Sequence, residues 1–349
     1  MNKQSPAKKF LPSATVLILL GITWGIFALL FFLLFSVPAP GEELPTWYFV
    51  GITLIETGAF FLAAALCFRN WQSGQIVSGR NVWLWIAIGL SCYGVGNILF
   101  YVWGNVWGKD PSVSLGDIFY LISYIFLAGG MLQAVLPRRL NLEMKQWAMV
   151  AVIGFLGIFL AYVLNYRLGG AELESLLPVE SPPEEVTPGA PEAVAPDPNG
   201  DQAAPAPVAP EIDANGAETP AEMEASEEAF PNAPAWAVQL DSRLEPFQEL
   251  VGLFYVVGDC ILLVVAATLL VAFWGGRFSQ SWKLIAIAAF CLYIADMFFA
   301  FSVNQGSYEE GSLWEVFWTF SALFFGLGAV VEYAISTQSR RSSRRRRAG

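Results

Sequence analysis

The sequence predicts an all-α membrane protein with eight transmembrane helices as a tandem 4+4 duplication, carrying a long disordered extracytoplasmic loop. Three observations lead there. Of 349 residues, 55% are hydrophobic, 15% aromatic and only 14% charged, too few polar side chains to clothe a soluble protein of this length. Eight apolar stretches reach the ~20 residues a bilayer span requires, at residues 14–36, 48–68, 82–103, 115–136, 147–166, 250–274, 281–303 and 312–335. The chain also repeats itself. Trp83, Ile86, Ile88, Cys92, Asn97 and Phe100 recur 199 positions later as Trp282, Ile285, Ile287, Cys291, Asp296 and Phe299. After a one-residue gap, Ser114-Leu115-Gly116-Asp117 faces Ser312-Leu313-Trp314-Glu315. A repeat made of membrane-length segments points to two bundle halves, with function expected between them.

Taken in order, residues 1–13 form a basic cytoplasmic N-terminus, with Lys3, Lys8 and Lys9 ahead of the first span. That span is longer than the ~7–15-residue apolar core of a signal peptide, so an uncleaved anchor is expected. Residues 14–166 hold the first four-helix half. The fifth span, 147–166, opens the second half, which continues at 250–335; Gly25-Ile26-Phe27 in span one is echoed by Gly157-Ile158-Phe159 in span five. The spacings of Gly21 with Gly25 and of Gly94 with Gly96 suit close helix packing.

Loop charge sets the orientation. Arg69 and Arg80, then Arg138, Arg139 and Lys145, then Arg277 and Lys283 mark cytoplasmic turns by the positive-inside rule. The alternate loops carry Glu42 and Glu43, the pair Lys109 and Asp110, and Glu309 with Glu310. Both termini are therefore expected in the cytoplasm of a bacterial cell, with the bundle in its inner membrane. Residues 167–249 hold roughly 18 acidic side chains, which account for most of the net charge of −11. This Pro/Ala/Glu-rich segment has too little apolar area to offset its ordering entropy and is expected to be a disordered spacer, apart from a short interfacial helix within residues 236–249. Residues 336–349 are a polybasic tail in which Arg340, Arg341, Arg344, Arg345, Arg346 and Arg347 are expected to contact anionic lipid, each contributing about 1 kcal/mol near the surface, or else to serve as a stop-transfer anchor that fixes orientation.

Several chemistries are excluded. With no histidine in the chain there is no histidine-ligated metal or haem and no Ser-His-Asp triad. The four cysteines lie inside spans without a CxxC spacing, as packing residues do. No cofactor, metal site, nucleic-acid partner or enzymatic activity is expected.

What remains is a belt of polar residues at one depth. Glu56, Asp117, Asp259 and Glu315 lie early in helices running inward, and Asn97 and Asp296 lie late in helices running outward. At ~1.5 Å rise per residue all six fall roughly 5–14 Å below the outer surface. A carboxylate in the membrane costs ~2.5–3.5 kcal/mol even on a lenient scale, so these groups must face the bundle interior. No Lys or Arg lies at their depth. Hydroxyl donors do: Tyr93 shares a face with Asn97, Tyr120 and Tyr124 share one with Asp117, and Tyr293 lies one turn before Asp296. Three readings stay open: neutral or hydrogen-bonded acids tying helices together, an outward-facing pocket for a cation or small polar ligand, or an ion pathway across the membrane.

The segment from Asp110 to Tyr124, with Pro111-Ser112, Asp117 and Tyr120-Leu121, resembles a motif of a bacterial family of multi-span sensory or input regions. Val257-Gly258-Asp259 with Leu262-Leu263 is similar to its second-half counterpart. Tyr124 is followed by Ile125 where that family often has proline. Such regions precede GGDEF, EAL or kinase output domains. The resemblance implies a non-enzymatic sensory or scaffolding module without an output domain of its own, acting on a separate cytoplasmic or membrane signalling partner. A small-solute or ion transporter is the alternative expectation, and an intramembrane enzyme the third.

Overall fold

A computed structural model describes residues 13–39, 42, 44–109, 113–135, 143–167, 233–273 and 279–348, with backbone only for 166–167 and 338–348. Among the described residues all regular structure is helical. Eight helices are long and apolar enough to cross a membrane, as the composition demands. Most of the expected disordered loop and the basic N-terminus lie outside the described residues.

The helix α1 (Ala14–Phe35) starts at Ser13, whose hydroxyl accepts from the Val16 amide at 3.3 Å. It is apolar on every side yet buries only Ala28 and Phe32, the pattern of a helix meant for lipid. Then come α2 (Thr46–Gln72), α3 (Arg80–Tyr101) with a π-helical extension Val102–Val106, and α4 (Leu115–Val135). Next is α5 (Met144–Tyr162), opened by a Glu143/Gln146 capping box and ending in a π-helical turn Val163–Arg167. The short helix α6 (Ala235–Leu244) lies where a short helix was expected, and a 3₁₀ turn Glu245–Phe247 joins it to α7 (Gln248–Ala272). The chain ends with α8 (Ser279–Asn304), a 3₁₀ turn Leu313–Glu315 and α9 (Val316–Ala348).

Six helices close a ring in the order α2, α3, α4, α7, α8, α9 and back to α2. The remaining two long helices sit outside it: α1 runs mainly along α9, where Gly21 and Gly25 admit Leu327 and Leu323, and α5 packs on α7. The main partner of α1 thus belongs to the other half of the sequence.

One end of the ring carries Arg69, Arg80 and Lys283 and is called the basic end; the other carries Glu309 and Glu310 and is called the acidic end. At the basic end the interior is filled. Trp83 of α3 and Trp282 of α8 meet at 6.2 Å between ring centroids, and Phe273 stacks on Trp282 at 5.1 Å. Ile86, Ile285, Leu127, Met131 and Leu269 pack around them without accessible surface. Two features of this end were not read from the sequence. Glu332 of α9 is fully buried and accepts from the Ser78 hydroxyl at 2.8 Å, which pins the α2–α3 turn to α9. Arg69 lies inside α2, its guanidinium 4.2 Å from the centre of the Tyr333 ring.

The helix α9 runs on through the basic segment that begins at residue 336, because arginine is a good helix former and nothing there breaks the pattern. The expected lipid contacts of Arg340, Arg341 and Arg344 to Arg347 concern side chains outside the described residues.

Candidate functional site

Above the tryptophan plug the ring encloses a cavity of about 860 Å³ that extends toward the acidic end. Its wall is built from every helix of the ring. Glu56 comes from α2, Tyr93 and Asn97 from α3, Asp117, Tyr120 and Tyr124 from α4, Tyr255 from α7, Asp296 from α8 and Trp318 from α9. Glu315, Tyr308 and Glu310 close it from the α8–α9 connection, and Asn165 reaches it from the π-helical end of α5. Among the described residues no Lys or Arg contributes to the lining.

Each acid has a defined set of donors. The amide of Asn97 donates to Glu56 Oε1 at 2.8 Å, and its oxygen accepts from the Tyr120 hydroxyl at 2.9 Å, a relay linking α2, α3 and α4. Asp117 accepts from the Ser114 amide at 2.6 Å and the Ser114 hydroxyl at 3.0 Å, as a side chain in the first turn of α4 can, and from the Tyr255 hydroxyl across the α4–α7 contact. Glu315 accepts from the Gly311 amide at 3.0 Å and the Tyr308 hydroxyl at 3.1 Å. Gly311 has φ +88°, which suits glycine, and its carbonyl takes the Tyr48 hydroxyl at 2.6 Å.

The deepest acids meet at one phenol. The Tyr124 hydroxyl lies 2.7 Å from Asp259 Oδ1 and also contacts Asp296 Oδ2, and the Trp318 indole N–H donates to Asp296 Oδ1 at 2.6 Å. Four helices are joined there. Tyr124 fits because Gly258 faces its ring: a Cβ on Gly258 would stand 2.8 Å from Tyr124 Cδ1. In the same way a Cβ on Gly96 would stand 2.6 Å from the Tyr120 ring.

At the mouth, Glu310 takes both oxygens to the Asn105 amide at 2.8 and 2.9 Å. Burial raises the Glu310 carboxyl above its ordinary range, and the Asn105 bond holds it back. Burial and the neighbouring Glu315 and Glu310 push the Tyr308 phenol well up. Beside the mouth, Lys109 is buried and pairs with Asp241 of α6 at 3.2 Å, while Trp107 meets Trp236 edge-on at 5.4 Å. The short helix is thereby fixed over the α3–α4 connection.

Of the ten site residues expected from the sequence, eight line the cavity: Glu56, Tyr93, Asn97, Asp117, Tyr120, Tyr124, Asp296 and Glu315. Asp259 does not; it is fully buried behind the wall and joins the site only through its neighbours. Tyr293 is a correction. It was expected to donate to Asp296 one turn away, but its hydroxyl donates instead to the Gly157 carbonyl at 2.6 Å and ties α8 to α5. The donor role falls to Tyr124 and Trp318, from other helices. Tyr255, Tyr308, Glu310, Trp318 and Asn165 were not singled out. Trp318 had a signal, since it stands opposite Tyr120 in the repeat, whereas Tyr255 and Asn165 depend on helix pairings that spacing does not give.

Among the described residues no group of three Cys, Asp or Glu side chains is disposed to hold a metal ion. No protein-family model, curated protein or solved structure matches the chain.

Proposed function

We propose that the chain is a non-enzymatic membrane module that binds a small organic cation in this cavity, as the receiving part of a sensory or scaffolding assembly. The observation that carries the reading is the lining itself. Five acids (Glu56, Asp117, Asp296, Glu310 and Glu315) and the aromatic faces of Tyr93, Tyr120, Phe100, Phe299 and Trp318 surround a space with no basic side chain among the described residues. Acids and aromatic faces attract an ammonium group, and an anion finds no counter-charge. Size separates the ligand classes. About 860 Å³ lies in the range of a small-molecule pocket, roughly 300–1,000 Å³, whereas a bare Ca²⁺ needs about 6–8 oxygens at ~2.3–2.6 Å.

The Trp83–Trp282 plug favours binding from one side over passage through the membrane, so a small-solute or ion transporter is the second reading. Transport requires that plug to part. The resemblance noted above supplies the sensory role and its separate signalling partner. Orientation by the positive-inside rule puts the mouth outside a bacterial inner membrane, with both termini and the lipid-bound arginine tail in the cytoplasm. The 4+4 duplication is part of the same proposal. It is supported by the ring, in which the α2–α9 contact corresponds to the α4–α7 contact and α3 stands opposite α8 through the aligned Trp83 and Trp282.

The test is thermal stabilisation of the purified protein by a panel of quaternary and primary aryl ammonium ions, with matched uncharged and anionic compounds. The reading expects stabilisation by cations alone, and its loss in Glu56→Gln with Asp296→Asn. Equal response to uncharged analogues refutes it, and uptake of the same cations into sealed proteoliposomes would favour the transporter.

A further inference from the structure

The carboxyls of Asp259 and Asp296 differ from the other acids of the cavity. Asp117 has three donors of its own, and Glu315 has two. Asp259 and Asp296 instead both touch the single hydroxyl of Tyr124. A phenol has one hydrogen and can donate to one of them only. The Trp318 N–H serves the other side of Asp296, and Asp259 Oδ2 is buried with no donor. With no cation present, two ionised carboxylates against one phenol would leave one acceptor without a hydrogen, so the junction is short of one hydrogen that a carboxyl proton supplies.

The surroundings offer no substitute. Asp296 shares the cavity wall with Glu56 from α2, Tyr93 from α3, Tyr120 from α4 and Tyr255 from α7. On the side toward α5, Cys260 and Tyr293 pack with Ala161. None of these is a cation. Asp296 is half-buried and on the cavity wall, whereas Asp259 is sealed, so an entering positive charge reaches the pair through Asp296.

We propose that the Asp259–Asp296 pair holds one shared proton in the empty cavity and releases it when a cation enters, so that ligand binding and proton release are one event. The balance is simple. The empty pair carries one proton and one negative charge; the occupied pair carries two negative charges beside the ligand's positive charge, and the proton leaves by the cavity to water. The inference rests on the cation-binding reading above and adds to it the group that exchanges.

The probe is benzyltrimethylammonium, whose charge does not titrate, so any pH dependence belongs to the protein. Isothermal titration in two buffers of different ionisation heat is expected to show about one proton released per cation bound, and affinity that rises about tenfold per pH unit on the acid side. Asp259→Asn, which keeps the shape of the buried partner, should bring the released proton to about zero. Binding by the wild type without proton release overturns the coupling and leaves the pocket; failure of every cation to bind overturns both. A second measurement needs no variant. The infrared difference between occupied and empty wild-type protein should lose a carboxylic-acid carbonyl band and gain a carboxylate band. Binding with no change in that region contradicts the shared proton.

Discussion

Replacing Tyr124 by phenylalanine removes one oxygen from the junction of α4, α7 and α8 while keeping the ring that Gly258 accommodates. Two contacts are lost. An ordinary interhelical hydrogen bond in a bilayer is worth ~0.6 kcal/mol, so two give ~1.2 kcal/mol if nothing else changes. Asp259, however, is sealed from solvent and loses its protein donor, and an unsatisfied buried acid adds ~1–3 kcal/mol. The expected destabilisation is therefore about 2–4 kcal/mol. Tyr255→Phe is the internal comparison. It removes one of three donors to Asp117, leaves the two from Ser114 in place, and should cost only about 0.5–1 kcal/mol. Unfolding both variants in mixed micelles against the wild type gives the two values. Equal losses, or a Tyr124→Phe loss below ~1 kcal/mol, would refute the claim that this phenol satisfies a sealed acid.

Gly258→Ala should destabilise by about 1–3 kcal/mol and weaken cation binding, because the new methyl displaces the Tyr124 ring; unchanged unfolding and unchanged binding contradict this. For Glu310, the folded-state carboxyl is raised by burial above its unfolded value, so its contribution to stability is fully present below the ordinary carboxylate range and is lost as pH rises through the raised value. Melting temperature should thus decline over that window in the wild type and decline less in Glu310→Gln, and identical profiles would remove the assignment. Cysteine replacements at Ser181 and Ser342 in intact cells should be labelled from outside at the first position and spared at the second, and the reverse pattern would invert the proposed topology.

The membrane architecture was legible because a bilayer imposes length and polarity on every span, and both are countable. The belt of acids was legible for the same reason: a charge inside an apolar run has to face inward, and the rise of a helix sets its depth. What spacing could not supply was the partner of each acid. Tyr293 sits one turn from Asp296 and looked like its donor, yet the ring turns that face of α8 toward α5, and the donors come from α4 and α9. Tyr255 likewise lies a whole turn from Asp259 on its own helix but serves Asp117 across the interface. Glu332 was overlooked because it sits near the end of an apolar run, where a charge is ordinarily solvated; only the fold of the α2–α3 turn over α9 buries it. The main packing partner of α1 was not legible for a related reason, since its small-residue face reads the same whichever helix it meets.

The cation pocket is the claim on which the rest depends, and an experimental structure with a bromine-labelled benzyltrimethylammonium tests it most directly. The account predicts one anomalous peak inside the ring, with the ammonium between Glu56 and Asp296 and the aryl ring against Phe299 or Trp318. A peak only on the lipid-facing surface, or an empty ring at saturating concentration, would contradict it.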